Sequence, residues 1–102
     1  MAKTVKVAET ELKPVGPNSR KSFYRKAFVL DDLNGTKYLK SFDTIICSAD
    51  ADGYVRKYAE IESTTTNRHL KSFLCLYAPG TDTDDVRKMA VEKRRPGLVV
   101  VH

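Results

Sequence analysis

The densest run of chemically able side chains is Thr65-Thr66-Asn67-Arg68-His69, which opens an apolar-periodic segment. N–H groups at a helix start, with hydroxyls and a guanidinium beside them, can grip an anion such as a phosphate. The same residues can simply be caps, because Ser/Thr runs are the ordinary way to begin a helix. As a general base, His69 needs a nucleophile within hydrogen-bond reach. Cys75 lies on the far side of a helix that turns every 3.6 residues or so, which excludes a local Cys–His pair. Cys47 would have to approach through tertiary folding, and the other histidine is His102. Without C-x-x-C or H-x-x-x-H spacing, two Cys and two His make a poor zinc set, and a core or cap histidine is the favoured reading. No catalytic, metal or cofactor-binding residue is assigned, and no cofactor is expected. The chain is read as a non-enzyme.

A second group is basic: Arg87, Lys88, Lys93, Arg94 and Arg95. Together with Thr65, Thr66, Arg68 and His69 these are the candidate contacts for a partner or an anion. Tyr24, Tyr38, Tyr54, Tyr58 and Phe23 are interleaved with Arg25, Lys26, Lys37, Lys40, Arg56 and Lys57. Aromatics beside basic residues can serve as stacking platforms for single strands. They are equally good strand formers. No Gly-x-x-Gly or glycine-rich phosphate loop is present.

The elements that must position these residues follow from periodicity. Val5 and Val7 alternate with polar neighbours in a short first strand, and residues 1–19 form a strand and a Pro/Gly-broken loop. A meander fills residues 20–60. Its strongest local signal is Asn34-Gly35, the preferred pair of a two-residue type I′ hairpin. That tip pairs Leu30 with Leu39, Phe28 with Ser41, Val29 with Lys40, Ala27 with Phe42 and Lys26 with Asp43, in a return strand running from Lys37 to Cys47. Asp50, Asp52 and Gly53 suit a hairpin turn better than a calcium loop, which needs more oxygen ligands and flanking helices. Tyr54 to Glu60 supplies a third meander strand.

From Ser63 the period changes. Leu70, Phe73, Leu74 and Tyr77 form a helical stripe, with caps available in Ser63 to Thr66 and a stop at Ala78-Pro79-Gly80. A second helix fits Asp82 to Arg94, capped by Thr81 or Thr83, so residues 63–95 hold two helices. Leu98 to Val101 is a strand added to the sheet edge or to a partner, which makes a homodimer through residues 98–102 an expectation. The order describes an α+β fold: an antiparallel β-meander of three to five strands with two short helices packed on one face.

At 102 residues and 11.5 kDa the chain allows one ordinary domain, and 41% hydrophobic content is too apolar for a disordered tail. Nothing approaches a membrane span or a signal-peptide core. Two cysteines are too few for a disulfide framework, so a cytoplasmic location is expected. Eighteen Lys and Arg against 13 Asp and Glu give +5, spread evenly over both halves with no basic tail.

Three stretches carry a resemblance. They are Asn18-Ser19-Arg20-Lys21-Ser22-Phe23-Tyr24-Arg25-Lys26-Ala27, Leu39-Lys40-Ser41-Phe42-Asp43-Thr44, and Ser63-Thr64-Thr65-Thr66-Asn67-Arg68-His69-Leu70-Lys71-Ser72-Phe73. In these the chain resembles short uncharacterised proteins of bacterial phages and other mobile elements. Their blocks read N-S-R-K-S-F-Y-x-K-A, L-x-S-Y-x-T and S-x-T-T-x-R-H-x-x-x-F. The resemblance spans roughly residues 18–73, and Phe42 replaces the usual Tyr, losing a hydroxyl. It implies a setting and no activity. Analogy with such proteins gives the functional expectation: a binding protein that inhibits or modulates a host protein or ribonucleoprotein machine, anti-CRISPR action included. A DNA mimic would be acidic, and this chain is basic. The alternative is direct nucleic-acid binding through the basic and aromatic strand residues, which steep salt dependence would reveal.

Overall fold

In the computed structural model, which describes residues 4–13, 26–93 and 97–101, one six-stranded sheet carries two helices. The strands are β1 (Thr4–Glu11), β2 (Ala27–Asp31), β3 (Lys37–Ser41), β4 (Thr44–Ala49), β5 (Val55–Lys57) and β6 (Gly97–Val100). The helices are α1 (Thr64–Tyr77) and α2 (Thr83–Lys88), between β5 and β6. In space the strands run β5-β4-β3-β2-β1-β6. From β5 to β1 all neighbours are antiparallel, but β6 lies parallel to β1, Val5 opposite Leu98 and Val7 opposite Val100. The sheet is therefore mixed, and six strands replace the expected three to five. Parallel neighbours need a long crossover, and the whole β2–α2 segment provides it. The apolar run after Pro96 thus completes a sheet edge within the chain.

The hairpin register differs from expectation by one residue. Val29 faces Leu39, Leu30 faces Tyr38 and Ala27 faces Ser41. Aspartates set this slip. The Asp31 carboxylate accepts from the Leu33 N–H at 2.8 Å, and that of Asp32 accepts from Asn34 and Thr36 at 2.8 and 3.0 Å. These bonds hold a longer loop in which Leu33 takes φ 64° and Gly35 φ 105°. A Cβ on Gly35 would also lie 3.0 Å from that of Ala51 in the neighbouring turn. Asp32→Ala should therefore cost about 1 kcal/mol by thermal unfolding, a shift of roughly 4–8 °C for a domain this size.

The expected Lys37–Cys47 strand is broken by a reversal at Phe42 and Asp43, so Ser41 pairs with Thr44 and no Lys26–Asp43 pair forms. Asp50 closes the next turn by accepting from Asp52 and Tyr54 N–H groups at 3.0 and 2.9 Å, so the hairpin-turn reading holds there.

Register sorts the core onto two faces. Leu12, Ala27, Val29, Leu39 and Cys47 lie under the helices, buried with Leu70, Phe73 and Leu74 of α1 and Val86 of α2. Each fully buried Val, Leu or Phe among them contributes on the order of 1.5–3 kcal/mol. The alternate residues Val7, Leu30, Tyr38 and Tyr58 make a smaller cluster on the other face, flanked by Leu98 and Val100.

The second helix is shorter than the expected Asp82 to Arg94, and Asp82, not a threonine, is its N-cap. A buried lysine ends it. Lys57, 0% exposed, sends its ammonium to the carbonyls of Arg87 and Met89 at 2.8 and 3.1 Å and to the Glu60 carboxylate at 3.0 Å. A continuing helix would need those carbonyls for the N–H groups four residues on. Instead the chain after Met89 runs beside β5, and the Glu92 N–H donates to the Lys57 carbonyl at 2.7 Å.

Candidate functional site

The first turn of α1 meets the end of β3 through a series of hydroxyls. Ser63 is the N-cap, accepting from the Thr66 N–H at 3.0 Å. Its hydroxyl donates to Thr66 Oγ1 at 2.9 Å, Thr66 lies 3.1 Å from Ser41 Oγ, and Ser41 lies 2.8 Å from His69 Nδ1. Each hydroxyl has one proton to give. Ser63 gives its proton to Thr66, and the direction of the next two bonds follows the tautomer of His69. In either tautomer His69 is neutral. Burial, with the nearby Arg68 and Lys26 charges, pushes its pKa down to about 4.

Ser41 and His69 are 2% and 1% exposed, so the pair is a buried lock between strand and helix. A cleft of about 380 Å³ opens beside it. Glu60 and Glu62 line it together with the hydroxyls, a poor lining for phosphate. Thr66 and His69, two of the candidate anion contacts, are both bonded to Ser41, and the Thr66 N–H is capped by Ser63. Thr65 is exposed on the first turn and Arg68 half-buried.

Phe42 projects from this lock. It is 46% exposed with φ 56°, a left-handed conformation that costs a bulky residue on the order of 1–3 kcal/mol. Its N–H donates to the Lys26 carbonyl at 2.6 Å, and its ring lies 5.9 Å from that of His69. The Lys26 ammonium sits 5.8 Å from the ring centroid, within cation–π range. The three resemblance stretches therefore meet at one corner: Lys26 from the first, Ser41 and Phe42 from the second, Thr66 and His69 from the third.

The basic end of α2 lines a different cleft from Phe42, the two sharing Glu62 and Ser63. Arg87 and Lys88 are exposed in its last turn, with Arg87 3.8 Å from Asp84, and Lys93 is exposed beyond it. Arg87 and the first turn of α1 line a polar cleft of about 170 Å³. Arg94 and Arg95 lie outside the described residues, as do Phe23, Tyr24 and Arg25.

The stacking platform does not survive folding among the described residues. Tyr38 and Tyr58 are buried with ring centroids 6.4 Å apart, and Lys57 is buried, leaving Tyr54 exposed beside Arg56. Burial pushes the Cys47 thiol up, which keeps it protonated, and Cys75 is exposed on α1. Among the described residues no group of three or more His, Cys, Asp or Glu side chains is placed to hold a metal, and no helix is long and apolar enough to cross a membrane. Sequence reasoning missed Lys57 and the exposure of Phe42. The alternation placing Lys57 on the face of buried Val55 was the available signal for the lysine.

Comparison with known proteins finds one family model, described as a family of unknown function (DUF8033), matching residues 10–92. No curated protein and no solved structure matches.

Proposed function

The chain belongs to this family of unknown function, and we propose that it acts by binding a protein partner through Phe42 and the cations beside it. The carrying observation is an exposed aromatic ring held in a costly backbone conformation by a buried polar lock. Aromatic and arginine anchors dominate binding energy at protein interfaces, and a ring already fixed in place loses little entropy on docking. The complementary surface is an apolar pocket with an acidic rim. The setting that goes with the sequence resemblance is a phage or other mobile element acting in the host cytoplasm. The partner is then a component of a host protein machine, and anti-CRISPR inhibition is one form of this activity.

A second reading, nucleic-acid binding, is favoured by one specific arrangement: Lys26 lies over the exposed Phe42 ring, and the Lys26 and Arg68 charges both act on His69 beside it, so a base could stack there with cations near its phosphates. Fluorescence anisotropy of labelled single- and double-stranded DNA and RNA, from about 50 to 200 mM salt, separates the two. The protein-partner reading expects affinity that disappears as salt rises. Binding that persists near physiological salt and falls in Phe42→Ala replaces it with the nucleic-acid reading.

A further inference from the structure

The two edges of the sheet are treated differently. At β5 the edge is covered, because the Glu92 N–H bonds the Lys57 carbonyl and Arg56 pairs with Glu92 at 3.5 Å. At β6 no backbone bond reaches the outer side among the described residues. An open edge is a template for another strand, and natural sheets usually blunt it with charge, proline or a bulge. Residues 97–101, Gly97-Leu98-Val99-Val100-Val101, carry no charge and no proline, and their pairing to β1 is regular. Val99 and Val101 are 46% and 43% exposed.

We propose that this edge is where a second copy of the chain docks, β6 to antiparallel β6 across a two-fold axis at Val99. Hydrogen-bond direction fixes the register. The Val101 N–H donates inward to the Val7 carbonyl at 2.9 Å. Alternation then turns the N–H and C=O of Val99 towards β1 and those of Leu98 and Val100 towards the open side. Antiparallel pairing about Val99 sets Leu98 of one copy against Val100 of the other, twice, and each such pair exchanges both of its backbone bonds. The two Val99 residues form the non-hydrogen-bonded pair, where side chains approach most closely and the exposed valine is covered.

Composition and packing both suit a second copy. A +5 chain repels itself wherever basic groups meet, but this pairing brings no charged residue opposite another. Leu98 and Val100, which flank the smaller core cluster, would join it to the same cluster of the second copy in one continuous sheet. A two-fold interface of this kind presents the same patch from both sides. It would also place two Phe42 corners on one assembly.

The test is analytical ultracentrifugation of the full chain with two variants. Val100→Pro removes an outward N–H and none that bonds β1, while Val99→Lys puts two ammonium groups face to face. The expected result is twice the 11.5 kDa mass for the wild type and the single-chain mass for both variants, each still cooperatively folded by thermal unfolding. A wild type that stays single at about 0.1–1 mM overturns the proposal. So does a dimer that survives both substitutions, which would place the interface elsewhere. A wild type that stays single but accepts a strand from a different protein also overturns it.

Discussion

Lys57→Met is expected to lower stability by about 2–4 kcal/mol, lowering the melting temperature by about 10–20 °C for a domain of this size. The lysine is fully buried, and its ammonium binds two carbonyls at the end of α2 together with Glu60. Methionine fills much the same volume but leaves both carbonyls without a donor. Removing one partner of a buried charged network costs far more than the network adds over an apolar replacement of all its members. The exposed Glu60 end contributes little, because water solvates that carboxylate. A six-residue helix cannot persist alone, so loss of this anchor should also release α2. Hydrogen exchange at Val86 and at Glu92, whose N–H bonds the Lys57 carbonyl, should quicken before that of α1. Lys57→Arg should not restore stability, because a planar fork does not fit a fully enclosed ammonium site. If Lys57→Met unfolds within about 0.5 kcal/mol of the wild type, the lysine is not what ends and anchors α2.

Acid should release the second fastening. His69 is neutral in the lock, with a pKa pushed to about 4 by burial and then by the Arg68 and Lys26 charges, against 6.5 for the free side chain. The unfolded chain therefore binds more protons than the folded one between these values. This contribution is complete above pH 6.5 and disappears as pH falls towards 4. At about 1.4 kcal/mol per pH unit, the full loss is on the order of 3 kcal/mol. Urea unfolding at pH 7, 6, 5 and 4 (experimental settings, roughly spanning the titration) should show this fall in the wild type. His69→Gln, which keeps a hydrogen-bond partner for Ser41 but cannot take a proton in this range, should lack that part of it. Carboxylates also titrate there, so the difference between the two proteins is the informative quantity. Parallel pH curves for both would show that burial does not hold His69 neutral down to about pH 4.

Much of the architecture was legible because it rests on local pattern. The stripe Leu70, Phe73, Leu74 and Tyr77 turns inward with Ser63 as its cap, and the Asp50 turn closes as a hairpin. What was not legible depends on competition between local signals or on contacts far apart in sequence. Asn34-Gly35 is the stronger turn signal in isolation, but the carboxylates of Asp31 and Asp32 bind the loop N–H groups and lengthen it. The pattern from Asp82 to Arg94 is helical, yet its carbonyls are taken by a lysine about 30 residues earlier in the chain. The parallel placement of β6 needs β1, from the opposite end of the sequence, as its neighbour. For the site, His69 is buried as the core-histidine reading had it, but the partner that it shares with Thr66, Ser41, belongs to a different element and was not legible. Phe42 looked like one more strand aromatic because the reversal that exposes it has no glycine, asparagine or proline to announce it.

The binding account is tested most directly by placing a photo-crosslinking phenylalanine analogue at position 42 in the full chain, expressed in a bacterial host, with the same analogue at exposed Leu76 as control. The account predicts one discrete protein adduct from position 42, absent from position 76 and competed away by unlabelled wild-type chain but not by Phe42→Ala. Adducts to nucleic acid, or the same set of proteins from both positions, would contradict it.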